Sequence, residues 1–152
     1  MNTSSQILVL NGPNLNMLGV REPDLYGSAT LGDVEELCRK TASELGLSVT
    51  CRQSNHEGEL VTWIQESRTA FQGIVINAGA YSHTSIALLD AIKIAAVPVI
   101  EVHVTNVHAR EEFRHHSYVA TVAVGSISGM GIDGYAFALR RMAKLISSST
   151  RK

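Results

Sequence analysis

The stretch EVHVTNVHAREEFRHHS, residues 101–117, concentrates side chains that can transfer protons. It holds four of the six histidines of the chain, and it directly follows an apolar run, AAVPVI, at 95–100. Alternate side chains of a strand share a face, so Glu101, His103 and Thr105 point to the same side. A carboxylate two residues from a histidine can accept a hydrogen bond from one ring nitrogen and leave the other free to transfer a proton.

The same histidines raise the alternative of a metal centre. A metal requires two or three ligands at a workable spacing, and the chain contains neither HExxH nor a Cys/His cluster. The sequence therefore predicts no metal, and His115 and His116 are typical of surface or packing residues. Arg110 and Arg114, four residues apart, would share a helical face and clamp a carboxylate, although salt bridges to neighbouring glutamates are an equal alternative for Arg110.

A long loop, 12–28, is the second candidate for chemistry. It carries three glycines and two prolines, and connections of this length are usually lids or binding loops. It matches neither the GxGxxG of dinucleotide folds nor the GxxxxGK[ST] phosphate loop. Its reactive side chains are Asn14, Arg21, Glu22, Asp24 and Tyr26.

Tyr26, with Arg21 close in sequence, suggests a base. The ordinary pKa of tyrosine is about 10, so a base near neutrality requires ~4 kcal/mol of preferential stabilisation of the phenolate. One guanidinium in a partly closed site would supply much of that. Packing of the Tyr26 ring against the loop is the alternative.

The stretch INAGAYSHTS suggests an anion site at the end of a strand. It places Asn77 at the strand tip, followed by small residues where backbone can approach a ligand. Ser82 or His83 would then open a helix whose free N–H groups suit a carboxylate.

These side chains follow strands of an alternating pattern. Val- and Ile-rich runs predict strands at 6–11, 47–53, 73–77, 97–104 and 119–126. Apolar residues three and four apart predict helices at 31–45, 58–71, 84–95 and 134–147. Thr30 and Asp33 form a predicted N-cap pair, and Gly46 a helix stop.

This order predicts an α/β fold: a flavodoxin-like, doubly wound, five-stranded parallel sheet with helices on both faces. The connection 105–118 differs from the others, because its apolar spacing predicts only a short helical turn. Ligands of such sheets bind outside the carboxyl ends of the strands, where the polar segments above would converge.

Bulk properties restrict the function classes. We interpret the 152 residues as one catalytic domain, with a flexible tail from about 147. A net charge of -1 argues against a nucleic-acid or membrane partner. Cys38 and Cys51 have no CxxC pattern, and the short apolar start is a strand rather than a secretion signal, so we expect reduced cysteines and a cytoplasmic protein.

Four motifs in order resemble one known family. NGPNLNMLGVREPDLYG, SNHEGELV, INAGAYSHTSIALLDAI and IEVHVTNVHAREEFRHHS resemble the type II dehydroquinases, the 3-dehydroquinate dehydratases of the shikimate and quinate pathways. The resemblance covers about residues 7–146. It implies elimination of water from 3-dehydroquinate through an enolate, without metal, cofactor or imine.

The resemblance also implies roles for the matching residues. Tyr26 would take the proton, Arg21 would keep it ionised, and Asn14 would stabilise the enolate through a water. His103 would protonate the departing hydroxyl while Glu101 holds its ring.

Substrate binding is implied at a second set of positions. These are Asn77, His83, Asp90, Val104, Thr105 and Arg114. Asp90 would reach the site of a neighbouring subunit, because the resemblance implies trimers assembled into dodecamers. Loop 17–27 would be a lid that expels water. Thr105 and Val104 stand where the family more often has Ser and Ile.

Rival functions make distinct predictions. An imine mechanism needs a desolvated lysine, and no lysine lies at a predicted strand end. A flavin-binding module needs a Ser/Thr-rich phosphate loop after strand one, where this chain is Asn- and Pro-rich. A receiver domain needs an acidic cluster there, and a metal-dependent hydro-lyase would lose activity with a chelator.

Overall fold

The structure, a computed structural model, describes residues 4–150. Its sheet has five parallel strands in the order β2-β1-β3-β4-β5. The strands are β1 Ser5–Asn11, β2 Leu47–Gln53, β3 Gly73–Asn77, β4 Val99–His103 and β5 Gly125–Ser128. This order, in which the connections reverse direction after β2, is that of a doubly wound sheet and confirms the predicted fold class.

Five helices connect or follow these strands. They are α1 Pro23–Tyr26, α2 Leu31–Glu44, α3 Glu57–Ala70, α4 Ile86–Ala95 and α5 Asp133–Thr150. The predicted pair of Thr30 and Asp33 forms a complete capping box at the start of α2. Gly46 follows α2 with a φ of 72°, which a glycine adopts at little cost.

The hydrophobic core lies on both faces of the sheet. Side chains of β1 alternate: Ile7 and Val9 pack on the face covered by α2 and α5, whereas Leu8 and Leu10 pack on the face covered by α3 and α4. A strand buried on both faces needs an apolar residue at every position, which explains the continuous run.

The fifth strand was predicted at the wrong place. Residues 119–124 form turns, in which the N–H groups of Val122 and Ala123 both donate to the carbonyl of Val119, and β5 covers only Gly125–Ser128. Val119 is nevertheless fully buried. The turn therefore accounts for the apolar character of Val119, whereas Val124 at the end of the run is exposed.

Two other boundaries also differ. The predicted strand 97–104 is shorter, Val99–His103, so Val104 and Thr105 lie in the bend that follows. Helix α5 continues to Thr150, and the remainder of the predicted flexible tail lies outside the described residues, as do residues 1–3.

The two cysteine side chains pack within the domain. Cys38 is buried and Cys51 partly so, and both are free thiols, as predicted. In residues 4–150, no helix is long and apolar enough to cross a bilayer.

Candidate active site

A cavity opens at the carboxyl ends of β1, β3 and β4. Parallel strands end at one edge of the sheet, so the segments that follow them meet there. Most of the predicted site residues line this cavity: Asn14, Arg21, Tyr26, Asn77, His83, His103, Val104, Thr105 and Arg114. The two exceptions are Glu101, which lies behind His103, and Asp90, which is exposed on α4.

A glycine brings the loop after β1 to the end of β3. The N–H of Gly12 donates to the carbonyl of Asn77 at 2.8 Å. A Cβ at position 12 would lie 2.4 Å from the carbonyl oxygen of Ala78, so only glycine allows this approach. Asn14 then adopts a left-handed φ of 69°, and its N–H donates to Asn55 Oδ1 at 3.0 Å, which fixes the start of the loop.

Two guanidinium groups contact the Tyr26 side chain. Arg110 Nη1 donates to Tyr26 Oη at 2.7 Å, and the Arg21 guanidinium carbon lies 4.7 Å from the centre of the ring. Arg110 also donates to Thr105 Oγ1 at 3.3 Å, which holds it over the cavity. Two positively charged groups therefore lie against the Tyr26 side chain.

The pairing of Arg110 with Tyr26 was not predicted, because the two residues are 84 positions apart. Arg110 and Arg114 do not share a helical face either, since they end two successive 3-10 turns, Val107–Ala109 and Glu112–Arg114. Both still line the cavity, and the salt bridge to a glutamate belongs to Arg114, whose Nε lies 2.5 Å from Glu111 Oε2.

Glu101 and His103 form a buried pair at the end of β4. His103 Nε2 lies 3.1 Å from Glu101 Oε2, and Glu101 is only 1% exposed. Burial opposes ionisation of Glu101, but hydrogen bonds from His103, Ser117 and Ser126, with the charge of the His103 ring, leave its pKa below the ordinary 4.5. The carboxylate therefore holds Nε2 and leaves Nδ1 of His103 as the nitrogen that can exchange a proton.

His83 presents a defined nitrogen to the cavity. Its Nδ1 lies 2.8 Å from the carbonyl of His116, which can only accept, so Nδ1 carries the proton and Nε2 is an acceptor. Burial lowers the pKa of His83 from the ordinary 6.5, and the charges of His103 and Arg114 act in the same direction. These effects favour the neutral ring of His83, which lies 6.1 Å from that of His103.

The helix predicted to open at Ser82 or His83 begins later. Residues Gly79–His83 form a 3-10 turn, and α4 begins at Ile86 with Ser85 as its N-cap, which accepts from the N–H of Leu88. The predicted position of the helix start was therefore wrong, whereas His83 itself lines the cavity.

A buried tyrosine supports Asn77. Tyr135 Oη accepts from Asn77 Nδ2 at 3.0 Å and donates to Asn11 Oδ1 at 2.5 Å, while Asn77 Oδ1 accepts from the N–H of Gly79 at 3.1 Å. The Asn77 side chain is thus fixed from two sides. Tyr135 lies on α5, far from the site motifs in sequence, and sequence reasoning did not identify it.

Histidines and acids do not cluster in a metal-binding arrangement. Within residues 4–150, no group of three or more His, Cys, Asp or Glu side chains is placed to hold a metal ion. His115 and His116 are exposed, as predicted, and His115 Nε2 donates to the carbonyl of Arg110 at 3.1 Å.

Comparison with known proteins matches the chain to one family. The family model described as "Dehydroquinase class II" covers residues 5–143. The 3-dehydroquinate dehydratase 1 of Bradyrhizobium diazoefficiens is 62% identical over 138 residues, which are 90% of this chain and 89% of that protein. The 3-dehydroquinate dehydratase of Streptomyces avermitilis is 59% identical over 143 residues, 93% and 90% of the two chains.

A solved structure agrees with this match. The crystal structure of the type II dehydroquinase from Propionibacterium acnes superposes with a TM-score of 0.90 at 45% identity, over 95% of this chain and 99% of that one. The likeness thus extends over the fold as well as the motifs. The chain belongs to the class II dehydroquinase family.

Proposed function

We propose that this chain, a hydro-lyase of the type II 3-dehydroquinate dehydratase kind, removes water from 3-dehydroquinate through an enolate, with Tyr26 as base and His103 as acid. The observation that carries the proposal is the convergence of both side chains on one cavity that three arginines line. Tyr26 takes the proton next to the ketone, and the hydroxyl on the opposite face leaves as water with the proton from His103.

The base depends on positive charge at Tyr26. A phenolate is needed to remove a carbon-bound proton, and the Arg110 donor at 2.7 Å together with Arg21 at 4.7 Å from the ring stabilise it. Arg21 also lies 3.6 Å from the exposed Glu22, a pair that solvent screens. We assign to Arg21 the additional role of stabilising the charge that develops in the transition state.

The acid depends on the carboxylate behind it. An imidazole that donates Nε2–H to Glu101 must carry a second proton, on Nδ1, to act as an acid. The ionised Glu101 stabilises that imidazolium and keeps Nδ1 directed away from itself. His103 is 7% exposed, so little water competes for its proton.

Substrate groups have matching partners around the cavity. Arg114 provides positive charge for the substrate carboxylate. His83 Nε2 accepts from a ring hydroxyl, and Asn77 and the backbone at Val104–Thr105 bind the remaining polar groups. Asn14, at the start of the loop, stabilises the enolate oxygen through a water.

Closure and assembly complete the proposal. Loop 17–27 contains Glu22, Gly19 and Gly27 at positive φ, and it carries both Arg21 and Tyr26, so its closure would assemble the base and exclude water. Asp90, exposed on α4, would reach the site of a neighbouring subunit in a dodecamer built from trimers. We place the enzyme in the cytoplasm, in the shikimate pathway or in quinate breakdown, which use the same reaction.

The test is dehydration of 3-dehydroquinate, followed by the ultraviolet absorbance of the conjugated enone product. We expect turnover that resists both a chelator and borohydride and that falls by about 10³-fold or more in Tyr26→Phe. Tyr118→Phe is the matched control and should retain activity. An inactive wild type would refute the reaction, and a fully active Tyr26→Phe would refute the assignment of the base.

A further inference from the structure

We propose that Ser117 and Ser126 are positioning residues that keep Glu101 ionised and aligned with His103. The inference rests on the proposed role of His103 as the acid, and it extends that role to the hydroxyl groups that control its carboxylate partner. Neither serine lines the cavity, so both would act only through Glu101.

Each oxygen of the Glu101 carboxylate accepts a hydrogen bond from a serine. Ser126 Oγ donates to Oε1 at 2.9 Å, and Ser117 Oγ donates to Oε2 at 2.5 Å. His103 Nε2 shares Oε2 at 3.1 Å. Because Glu101 is 1% exposed, these protein donors take the place that water has around an exposed carboxylate.

The fold places each hydroxyl for a separate reason. Ser126 is the direct register partner of Glu101 in the parallel pair β4–β5, so its side chain stands next to the carboxylate. Ser117 comes from the loop after the 3-10 turn Glu112–Arg114, and its Oγ accepts from the N–H of Ala120 at 3.1 Å. That hydrogen bond occupies a lone pair of the oxygen and leaves the hydroxyl hydrogen for Glu101.

On the side of the Glu101 carboxylate, the neighbours that favour its ionised form are hydrogen-bond donors. On the other side of β4, β3 presents the apolar Ile76 opposite Glu101. Two further groups that carry or can carry charge are His83, whose ring lies 6.1 Å from that of His103, and Arg114, whose charge acts on His83. Both lie on the cavity side of His103, whereas the serines lie on the side of the carboxylate.

Loss of a donor would move the proton to the wrong group. A carboxylate that keeps fewer hydrogen bonds takes up a proton at higher pH, and a protonated Glu101 no longer stabilises an imidazolium at His103. The serines therefore determine the lowest pH at which the acid works. The shared proton stays on His103 only while Glu101 is a weaker base than the His103 ring.

The kinetic test compares Ser126→Ala with Ser126→Thr and with Ser48→Ala, a control on the opposite edge strand. Ser126 is exposed, so its substitution leaves the core intact. We expect Ser126→Ala to lower kcat about tenfold with KM nearly unchanged. The defect should deepen from pH 8 to pH 5, and Ser126→Thr, which keeps the hydroxyl, should restore most of the activity. Ser117→Ala should behave like Ser126→Ala.

A double-mutant cycle separates positioning from a structural effect. In the Glu101→Gln background, Ser126→Ala should cause little further loss, because the group through which it acts is already uncharged. A defect in Ser126→Ala that is constant with pH, or that persists in full in the Glu101→Gln background, would overturn the proposal.

An infrared titration tests the proposal without catalysis. The carboxylic acid band of Glu101, identified by its absence in Glu101→Gln, should appear at higher pH in Ser126→Ala than in the wild type. An unchanged midpoint would overturn the positioning role even if the enzyme is active. A raised midpoint in a protein that does not dehydrate 3-dehydroquinate would instead support the positioning role and refute the proposed function.

Discussion

Replacement of Arg110 by glutamine tests whether this guanidinium controls the proposed base, Tyr26. Arg110 Nη1 donates to Tyr26 Oη at 2.7 Å, whereas Arg21 lies over the ring, with its guanidinium carbon 4.7 Å from the ring centre. A hydrogen bond to a charged group contributes about 1.5–3 kcal/mol. Arg110→Gln should therefore lose about 1.5–3 kcal/mol of stabilisation of the reacting state.

The loss of rate follows from the same magnitude. The kcat/KM of Arg110→Gln should fall about 10- to 150-fold, because about 1.4 kcal/mol corresponds to a factor of ten in rate. Arg110→Lys keeps the charge without the planar geometry and should lie between the two. The assay is the rate of enone formation between pH 5 and pH 10, with kcat and KM determined separately because Arg110 also contacts Thr105.

Arg114→Gln provides the matched control for this experiment. Arg114 lines the same cavity but pairs with Glu111, so its loss should raise KM and lower kcat by less than the loss of Arg110. An unchanged kcat in Arg110→Gln, or an equal loss of kcat in Arg114→Gln, would refute the reasoning. The positive charge of the cavity as a whole, and not one donor, would then control the proposed base.

Three further predictions concern stability. Tyr135→Phe leaves two buried asparagines short of a hydrogen bond and should reduce the free energy of unfolding in urea by about 1–3 kcal/mol, whereas Tyr118→Phe should change it little. The pKa of His83 is lowered by burial, so below pH 6.5 the unfolded chain takes up a proton that the folded chain does not. The free energy of unfolding should therefore decrease as the pH is lowered below 6.5, and this decrease should be smaller in His83→Gln. Gly12→Ala should destabilise by more than about 2 kcal/mol because its Cβ would meet a backbone carbonyl at 2.4 Å, whereas Gly125→Ala enters open space.

Local patterns identified most elements because their causes are local. The run of β1 is apolar at consecutive positions since both faces of the strand are buried, and the Thr30–Asp33 pair marks a helix start through its own two hydrogen bonds. The pattern misled at 119–126, where Val119 is buried from a turn. Burial explains an apolar residue equally well in a turn and in a strand, and composition does not distinguish the two.

In the candidate site, too, the features with local causes were predicted from the sequence. Parallel strands end at one edge of the sheet, so the sequence alone predicted that Asn14, Asn77 and His103, which each follow or end a strand, would share a cavity. It also predicted the pair of Glu101 and His103, because two residues along a strand face the same way.

Contacts between distant segments were decided by tertiary structure. Arg110 meets Tyr26 across 84 residues, and Tyr135 meets Asn77 across 58. Such pairs depend on how a 3-10 turn or a helix packs against the sheet, and no periodicity in the sequence encodes that distance. The sequence by itself therefore determined which segments supply the side chains of the cavity, whereas packing decided which distant neighbours contact them.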